Sequence, residues 1–176
     1  MDFGPDSLQM QVCIWRAGAM AERDNRQLGD PATPAFSLWH YPFFHLNRAV
    51  GRYTHVIEAR LRGIGLDVPG WRVLMILGET SPRSTGEIAQ AAVINLSTMT
   101  RIVARMAKAG LIRQVVRVGD ARVREVFLTD AGAAILAKAR VATAPIYASA
   151  IKGFSEEEFV QLLGLLALMH ENLEEC

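Results

Sequence analysis

Several features that would assign the chain to a common class of protein are missing or scarce. Only two cysteines occur, Cys13 and Cys176, near opposite ends of the 176 residues, so no disulfide framework is expected and a reducing cytoplasm is favoured. The longest strongly apolar run, residues 162–169, is far shorter than the roughly 20 residues that span a bilayer. Asp2 and Asp6 stand where a secretory signal would carry basic residues, so neither export nor membrane association is predicted.

Motifs for catalysis are also missing. The sequence has no phosphate-binding Walker loop, dinucleotide fingerprint, nucleophile elbow or His-Glu-x-x-His zinc motif. The isolated pair His170 and Glu171 is interpreted as solvated. We therefore expect no enzyme activity, no catalytic residues, no cofactor and no metal site.

Charge is distributed unevenly along the chain. Hydrophobic residues make up 51% of the sequence, enough for a sizeable core, and the net charge is only +1. Residues 84–128 nevertheless carry seven Lys or Arg against three acids, whereas residues 154–176 carry six acids and no Lys or Arg. A basic central segment and an acidic end predict one surface that faces phosphate and another that avoids it. Composition alone leaves a merely solvated basic face as an alternative.

Apolar periodicity predicts the first helices. Residues 1–36 show none, and we expect an arm that is partly mobile or packs across a partner subunit. From about Ser37, apolar residues recur at spacings of three and four, and Gly63 and Gly65 end this helix. Asp67 can cap the next helix. The apolar stripe of the first helix is Leu46, Val50, Tyr53, Ile57 and Leu61.

Two short helices and a hairpin are predicted in the middle of the chain. Ser84 and Glu87 form a capping-box pattern that opens a short helix, and Asn95 can cap a second one after a tight turn. Residues 112–118 and 123–128 are rich in β-branched and basic residues, and a Gly-Asp-Ala turn joins them, which predicts a β-hairpin. This order of elements is that of a winged helix-turn-helix.

Two longer helices are predicted to follow the hairpin. Thr129 can cap a helix that runs to about Lys152, and Pro145 should kink or divide it. Ser155 and Glu158 repeat the capping-box pattern at the start of the final helix. That helix is apolar nearly all round, so we expect two subunits to bury it between them.

The second short helix carries the strongest indication of function. One of its faces is apolar, formed by Met99, Ile102, Val103 and Met106, and the other has hydroxyls near its start and cations further along. Any amphipathic helix has a polar face, but this one has no acid and precedes a basic hairpin. Short polar side chains let a helix approach base edges, and arginine pairs with guanine or phosphate, so DNA binding is predicted. The polar residues are Ser97, Thr98, Arg101, Arg105 and Lys108.

Five segments together resemble the core of the MarR family of transcriptional regulators, and the resemblance covers about residues 38–174. The segments are Ser-Thr-Gly-Glu-Ile-Ala (84–89), Leu-Ser-Thr-Met-Thr-Arg-Ile-Val (96–103), Ala-Gly-Leu-Ile (109–112), Asp-Ala-Arg (120–122) and Phe-Leu-Thr-Asp-Ala-Gly (127–132). The implied fold is mainly α with a small β-hairpin wing, of the α+β class. The implied organisation is an arm (1–36), dimerisation helices (37–66 and 129–176) and a winged helix-turn-helix domain (67–128).

The resemblance implies a homodimer that binds an inverted repeat in double-stranded DNA, with recognition helices in the major groove and wing tips in the minor groove. Asp120 corresponds to an acid that braces the wing against an arginine of the recognition helix, and Arg122 to the minor-groove arginine. Ala121 replaces a frequent second basic residue, and residues 116–118 replace a common Asp-Pro turn. The candidate DNA contacts are Ser84, Asn95, Ser97, Thr98, Thr100, Arg101, Arg105, Arg117, Arg122 and Arg124.

The resemblance also implies a small effector, because family members often respond to aromatic acids or phenols and act as repressors that such ligands release. An arginine beside aromatic rings could hold an aromatic carboxylate, although ordinary packing of the same side chains stays an alternative. The candidate ligand residues are His40, Phe44, His45, Arg48, Arg52, Trp71 and Met75.

Two other functions stay open from the sequence. One is a winged-helix interaction module without DNA binding. The other is a thiol-based redox regulator, for which Cys13 and Cys176 are the candidates; a sensing thiolate needs a positive surrounding, and Cys176 instead follows two glutamates.

Overall fold

The structure is a computed structural model that describes residues 25–117 and 119–175, with the backbone alone at Ala121 and Arg122. The cysteines and the first 24 residues of the expected arm lie outside the described residues. The chain forms two compact units, which meet in sequence between Gly51 and Arg52. In the part of the chain that is described, no helix is long and apolar enough to cross a membrane.

Helices dominate the described residues, and a small antiparallel sheet completes them. The helices are α1 (Asn25–Gly29), α2 (Pro42–Arg62), α3 (Val68–Glu79), α4 (Thr85–Ala92), α5 (Leu96–Lys108), α6 (Asp130–Ala150) and α7 (Glu156–Glu174). The strands are β1 (Arg83–Ser84), β2 (Ile112–Arg117) and β3 (Asp120–Leu128). The predicted fold class, mainly helical with a hairpin wing, is confirmed.

The first unit contains elements that the sequence did not predict. The short helix α1 lies within the expected arm, and a 3₁₀ turn occupies residues 38–40 where we expected the first long helix to begin. That helix, α2, instead begins at Pro42, because a proline at the first helical position gives up no intrahelical bond. Aromatic side chains on both sides of its first residue pack edge-to-face: the centroids of the Trp39 and Phe44 rings lie 5.3 Å apart, and those of the Tyr41 and Phe43 rings 5.5 Å apart.

The second unit has one hydrophobic core, which α3, α4, α5 and the sheet share with the end of α2 and the first part of α6. The predicted helix caps are confirmed. Asp67 accepts a hydrogen bond from the backbone N–H of Gly70 at 2.9 Å, and Thr129 accepts one from Gly132 at 3.0 Å. The largest fully buried side chains are Ile57, Leu61, Val73, Leu74, Leu77, Ile88, Met99, Val103, Ile112 and Val126.

The sheet has the strand order β1-β3-β2. In the predicted hairpin, Ile112 pairs with Leu128, and an irregularity after Val116 brings Arg117 opposite Asp120. The predicted turn is therefore shorter than expected, because Asp120 already belongs to β3. Strand β1 was not predicted; it pairs with β3 and attaches the start of α4 to the wing.

The last two helices differ in how much they bury. Helix α6 buries Leu136, Ala139 and Thr143 and runs through Pro145 as one element, so the predicted division of this helix does not occur. Helix α7 begins with the predicted capping box of Ser155 and Glu158, but none of its described side chains is buried within the chain. The expectation that a second subunit covers this helix stays a prediction.

Candidate nucleic-acid interface

Helix α5 separates an apolar face from an exposed polar one, as the sequence predicted. Met99, Ile102, Val103 and Met106 are all less than 10% exposed. Asn95 caps the helix by accepting a hydrogen bond from the N–H of Thr98 at 2.8 Å, and its amide oxygen also accepts one from the Ser97 hydroxyl. The predicted contacts at Ser97, Thr98, Thr100, Arg101 and Arg105 are all exposed. The helix therefore presents hydroxyls at its start and cations further along, without an acid between them.

The start of α4 lies beside this helix and is held by the predicted capping box. The N–H of Glu87 donates to the Ser84 hydroxyl at 3.2 Å, and the N–H of Ser84 donates back to the Glu87 carboxylate. Hydrogen bonding with the Ser84 side chain, and then with its backbone, holds the pKa of Glu87 below the ordinary value of 4.5, and Arg117 and Arg83 lower it further. Glu87 thus stays charged while it partly neutralises the nearby arginines.

The wing carries exposed arginines with different partners. Arg117 donates from Nε to the Glu125 carboxylate at 2.9 Å. The guanidinium of Arg113 lies over the Phe127 ring, 3.8 Å from its centroid, on the neighbouring strand. Arg124 is exposed near the tip. The side chain of Arg122, the predicted minor-groove arginine, lies outside the described residues, and Asp120, the predicted brace, is exposed at the start of β3, so both roles stay predictions.

A groove of about 370 Å³ lies between the starts of α4 and α5 and the hairpin. Its lining includes the predicted contacts Ser84, Thr100, Arg117 and Arg124, so the structure brings these four residues together. The sequence did not identify Leu96, Gln114 and Val123, which line the same groove. Helical spacing could have indicated Leu96, since it lies one turn before Thr100, but the two strand residues join the site only through folding.

Arg105 is placed apart from this groove. Its guanidinium forms a salt bridge with Asp67, whose other carboxylate oxygen caps α3. Asp67 therefore links the end of α5 to the start of α3 with one carboxylate. Both partners are partly exposed, so the pair adds little stability by itself and leaves the Arg105 cation within reach of solvent.

The candidate ligand residues fall in both compact units. In the first unit the Arg48 guanidinium lies 5.2 Å from the Phe44 ring centroid and 5.6 Å from that of Trp39. His45 contacts the Trp39 carbonyl oxygen through Nε2 at 2.8 Å, and His40 is partly buried nearby in sequence. In the second unit Trp71 is buried in the core, while Arg52 and Met75 are exposed.

Two comparisons by sequence identify relatives. The sequence profile of the MarR family matches residues 66–123. The HTH-type transcriptional repressor IacR of Pseudomonas putida is 36% identical over 158 residues, which cover 90% of this chain and 95% of that protein. The profile spans α3 to the wing, and the repressor aligns along almost its whole length.

Comparison with solved structures gives the same family. A MarR-family transcriptional regulator from Silicibacter pomeroyi superposes with a TM-score of 0.71 at 26% identity, over 77% of this chain and 92% of that one. A probable transcriptional regulator from Pseudomonas aeruginosa superposes with a TM-score of 0.65 at 32% identity, over 76% of this chain and 99% of that one. The chain belongs to the MarR family of winged-helix transcriptional regulators.

Proposed function

We propose that the chain is a homodimeric repressor that binds an inverted repeat in double-stranded DNA and is released by a small aromatic acid or phenol. The observation that carries the DNA-binding part is the exposed face of α5. Six exposed polar side chains lie there without an acid: Ser97, Thr98, Thr100, Arg101, Arg105 and Lys108. They lie next to a groove whose lining includes Arg117 and Arg124 and no carboxylate. Such a surface suits phosphates at its edge and base edges along the helix.

Related proteins support this proposal. The relative from Pseudomonas putida is named a transcriptional repressor. A mutant MarR from E. coli has been solved in complex with operator DNA, and its fold superposes on this chain with a TM-score of 0.66 at 19% identity. We propose the same mode for this chain, with α5 in the major groove and the wing at the minor groove.

The proposed dimer is supported by α7. Leu163, Leu165 and Leu168 are each more than half exposed within one chain, although apolar side chains of this size normally contribute to a core. A second copy would cover them and place two recognition helices on one face. Half-sites would then lie about one helical turn apart, roughly 34 Å.

Salt dependence tests the DNA-binding proposal. Phosphate contacts release counterions, so duplex affinity should fall steeply as salt rises. Arg122→Ala removes two cations per dimer, and the slope of log affinity against log salt should shrink by about 1 to 2 units. Fluorescence anisotropy with labelled duplexes measures this slope, and Lys138→Ala on α6 serves as the control. Salt-independent binding, or none, would favour an interaction module.

The effector proposal rests on the surroundings of Arg48. A cation already packed against two aromatic rings can pair with a carboxylate while a ligand ring packs beside Phe44 and Trp39. A structural relative, BpsR of Bordetella bronchiseptica, is described as regulated in its DNA binding by 6-hydroxynicotinic acid; it is 23% identical and shares the fold. We propose an effector of this chemical class for the present chain, with Arg48 as the carboxylate partner.

Paired titrations test the coupling between effector binding and DNA binding. 6-Hydroxynicotinic acid, benzoate and phenol are titrated into free protein and into its complex with operator DNA. A tenfold to hundredfold weaker ligand affinity in the complex, or about 1.4 to 2.8 kcal/mol of coupling, is expected, since linkage is reciprocal. Arg48→Ala should weaken carboxylate ligands and leave ligand-free DNA binding nearly unchanged, whereas Arg62→Ala, further along α2, should change neither. Equal affinities in both states would eliminate the mechanism.

A further inference from the structure

An apolar side chain occupies the start of the recognition helix, where the polar face begins. Leu96 is the first residue of α5 and is 57% exposed, whereas the other large apolar side chains of this helix are buried in the core. The core therefore does not use Leu96. Residues at the N-terminal end of a recognition helix are the ones that reach base edges in winged and related helix-turn-helix proteins, so this position favours a contact with a base.

Thr100 adds a methyl group one helical turn further on. Its hydroxyl donates to the carbonyl oxygen of Leu96 at 2.8 Å, so its hydrogen is already used within the helix. Residues four apart are neighbours on a helix surface, and both Leu96 and Thr100 line the groove beside the wing. Leu96 and the Thr100 methyl group form a small apolar patch in a groove whose lining also includes the apolar side chain of Val123.

The chemistry around the patch indicates what covers it. Arg117 and Arg124 line the same groove, together with Ser84 and Thr85, and none of the lining side chains is a carboxylate. Cations and hydroxyls beside an apolar patch complement a nucleic-acid strand, with its phosphates on the rim and a base edge on the floor. Thymine is the base whose major-groove edge carries a methyl group, and apolar side chains and the threonine methyl are its usual partners.

From this arrangement we infer that Leu96 and Thr100 recognise the 5-methyl group of a thymine in each half-site of the operator. The inference rests on the proposed DNA-binding function and adds one element of sequence specificity to it. Arg124 then binds a flanking phosphate, as do the guanidinium N–H groups of Arg117 that its bond from Nε to Glu125 leaves over, which sets the register of the thymine against α5. Specificity at this position comes from shape and desolvation of a methyl group, not from a hydrogen bond.

Deoxyuridine substitution tests the inference, because replacing dT by dU removes only the methyl group. Duplexes that bind the full-length chain are first selected from a random library, and each thymine of the selected site is then replaced in turn. At one position per half-site, dU should weaken binding about fourfold, the effect of one methyl group withdrawn from water, and by about tenfold or more when both half-sites are changed.

Three variants assign the effect to the patch. In the Leu96→Ala variant, replacing dT by dU should weaken duplex affinity by less than about twofold. Thr100→Ser deletes one methyl group and keeps the hydroxyl bond to Leu96, so it should reduce the loss partially. Val93→Ala is the matched control: Val93 is 83% exposed in the preceding turn and is absent from the groove lining, so the full dU effect should persist.

The outcomes separate the two levels of the proposal. If the selected site contains no dU-sensitive thymine, or if Leu96→Ala keeps the full dU effect, the methyl-recognition inference is overturned while DNA binding stands. If Leu96→Ala changes the oligomeric mass and not the dT preference, the patch contacts protein and the inference also fails. If no duplex is enriched from the library, the proposed function and the inference fail together.

Discussion

The recognition helix α5 and the final helix α7 begin alike and end up in opposite environments. Each follows an N-cap whose side chain accepts a hydrogen bond from the N–H three residues on: Asn95 at α5 and Ser155 at α7. Helix α5 buries four large apolar side chains and exposes its polar face. Helix α7 buries none of its described side chains, and Leu163, Leu165 and Leu168 are more than half exposed.

The difference shows that local signals and burial carry separate information. A cap fixes where a helix starts, because its bond joins neighbouring residues. Whether a helix face is buried depends on which other side chains pack against it, and within this chain too few pack against α7 to bury any of its described side chains. The segment that holds α7 also has six acids and no Lys or Arg, so its polar positions would repel phosphate. We therefore propose that α5 contacts DNA and that α7 contacts a second subunit.

The largest effect is expected at α7. Leu165→Glu places a charge where a partner helix should pack, and an uncompensated buried charge costs about 3 to 5 kcal/mol. Dimer dissociation should therefore become easier by at least about a hundredfold. Sedimentation at low micromolar concentration should show the chain mass in place of twice that mass.

The control for this variant is Val116→Glu, which changes an apolar wing residue that is 47% exposed, similar to the 53% of Leu165. Its mass should remain that of a dimer, because the wing belongs to the proposed DNA surface and not to the proposed subunit contact. A parent protein that is a stable monomer, or a Leu165→Glu variant that stays dimeric, would show that α7 has another partner.

The next largest effect is expected on α5. Arg101→Ala should weaken the selected operator by about tenfold to hundredfold and random duplex by much less, since Arg101 is exposed in the middle of the recognition face. Arg105→Ala provides the contrast, because that guanidinium is already paired with Asp67. It should lower both affinities by a similar, smaller factor. Equal losses for both variants on both duplexes would mean that α5 does not read sequence.

The sequence predicted those parts of the fold whose signals are local. The structure contains the helix caps that the sequence predicts at Asp67, Ser84, Asn95 and Thr129. These caps are local signals, because the capping oxygen and the N–H group that donates to it lie three residues apart. Strand β1 was missed, since two residues have no periodicity of their own. Strand β1 forms because β3, about forty residues later in the sequence, provides a strand edge with which its two residues pair.

Other features depend on solvent and tertiary contact. Pro145 does not divide α6. The carbonyl that loses its helical partner belongs to Val141, a residue that is 76% exposed, so the missing bond falls on the surface side of the helix and not in the core. In the candidate site, the polar face of α5 followed from helical spacing. The contributions of Gln114 and Val123 could not be predicted from spacing, since these residues reach the groove only when the hairpin folds beside α5.

The turns before the two helices differ as well, which gives a prediction for stability. The turn before α5 contains Val93 at φ 52°, in the left-handed region that β-branched residues avoid, whereas the loop before α7 has Gly153 at φ 84°. Val93→Gly should stabilise the fold by about 1 kcal/mol, because the strain relieved exceeds the entropy cost of glycine. The melting temperature should rise by about 2 to 4 °C. Val93→Ala keeps the Cβ atom and should gain less stability than Val93→Gly. A loss of stability in Val93→Gly would show that the Val93 side chain makes stabilising packing contacts.

The smallest effect concerns the two capping boxes. The lowered pKa of Glu87 means that its carboxylate is more favourable in the folded chain than in the unfolded one. Its contribution is complete above the ordinary value of 4.5 and is lost as pH falls through the lower folded pKa. Glu87→Gln should therefore reduce the free energy of unfolding by about 0.3 to 1 kcal/mol at neutral pH, and less in acid. Urea unfolding at several pH values measures the difference.

Glu158→Gln is the matched variant, because it removes the charge from the same type of box in a segment without Lys or Arg. Both variants should lower stability slightly at neutral pH. Only Glu87→Gln should also tighten binding to random duplex, by about twofold, because the carboxylate it removes lowers the positive potential near Arg83 and Arg117. That gain should fade at high salt. Equal DNA affinities for the two variants would contradict the proposal that the surface around Glu87 and α5 faces DNA.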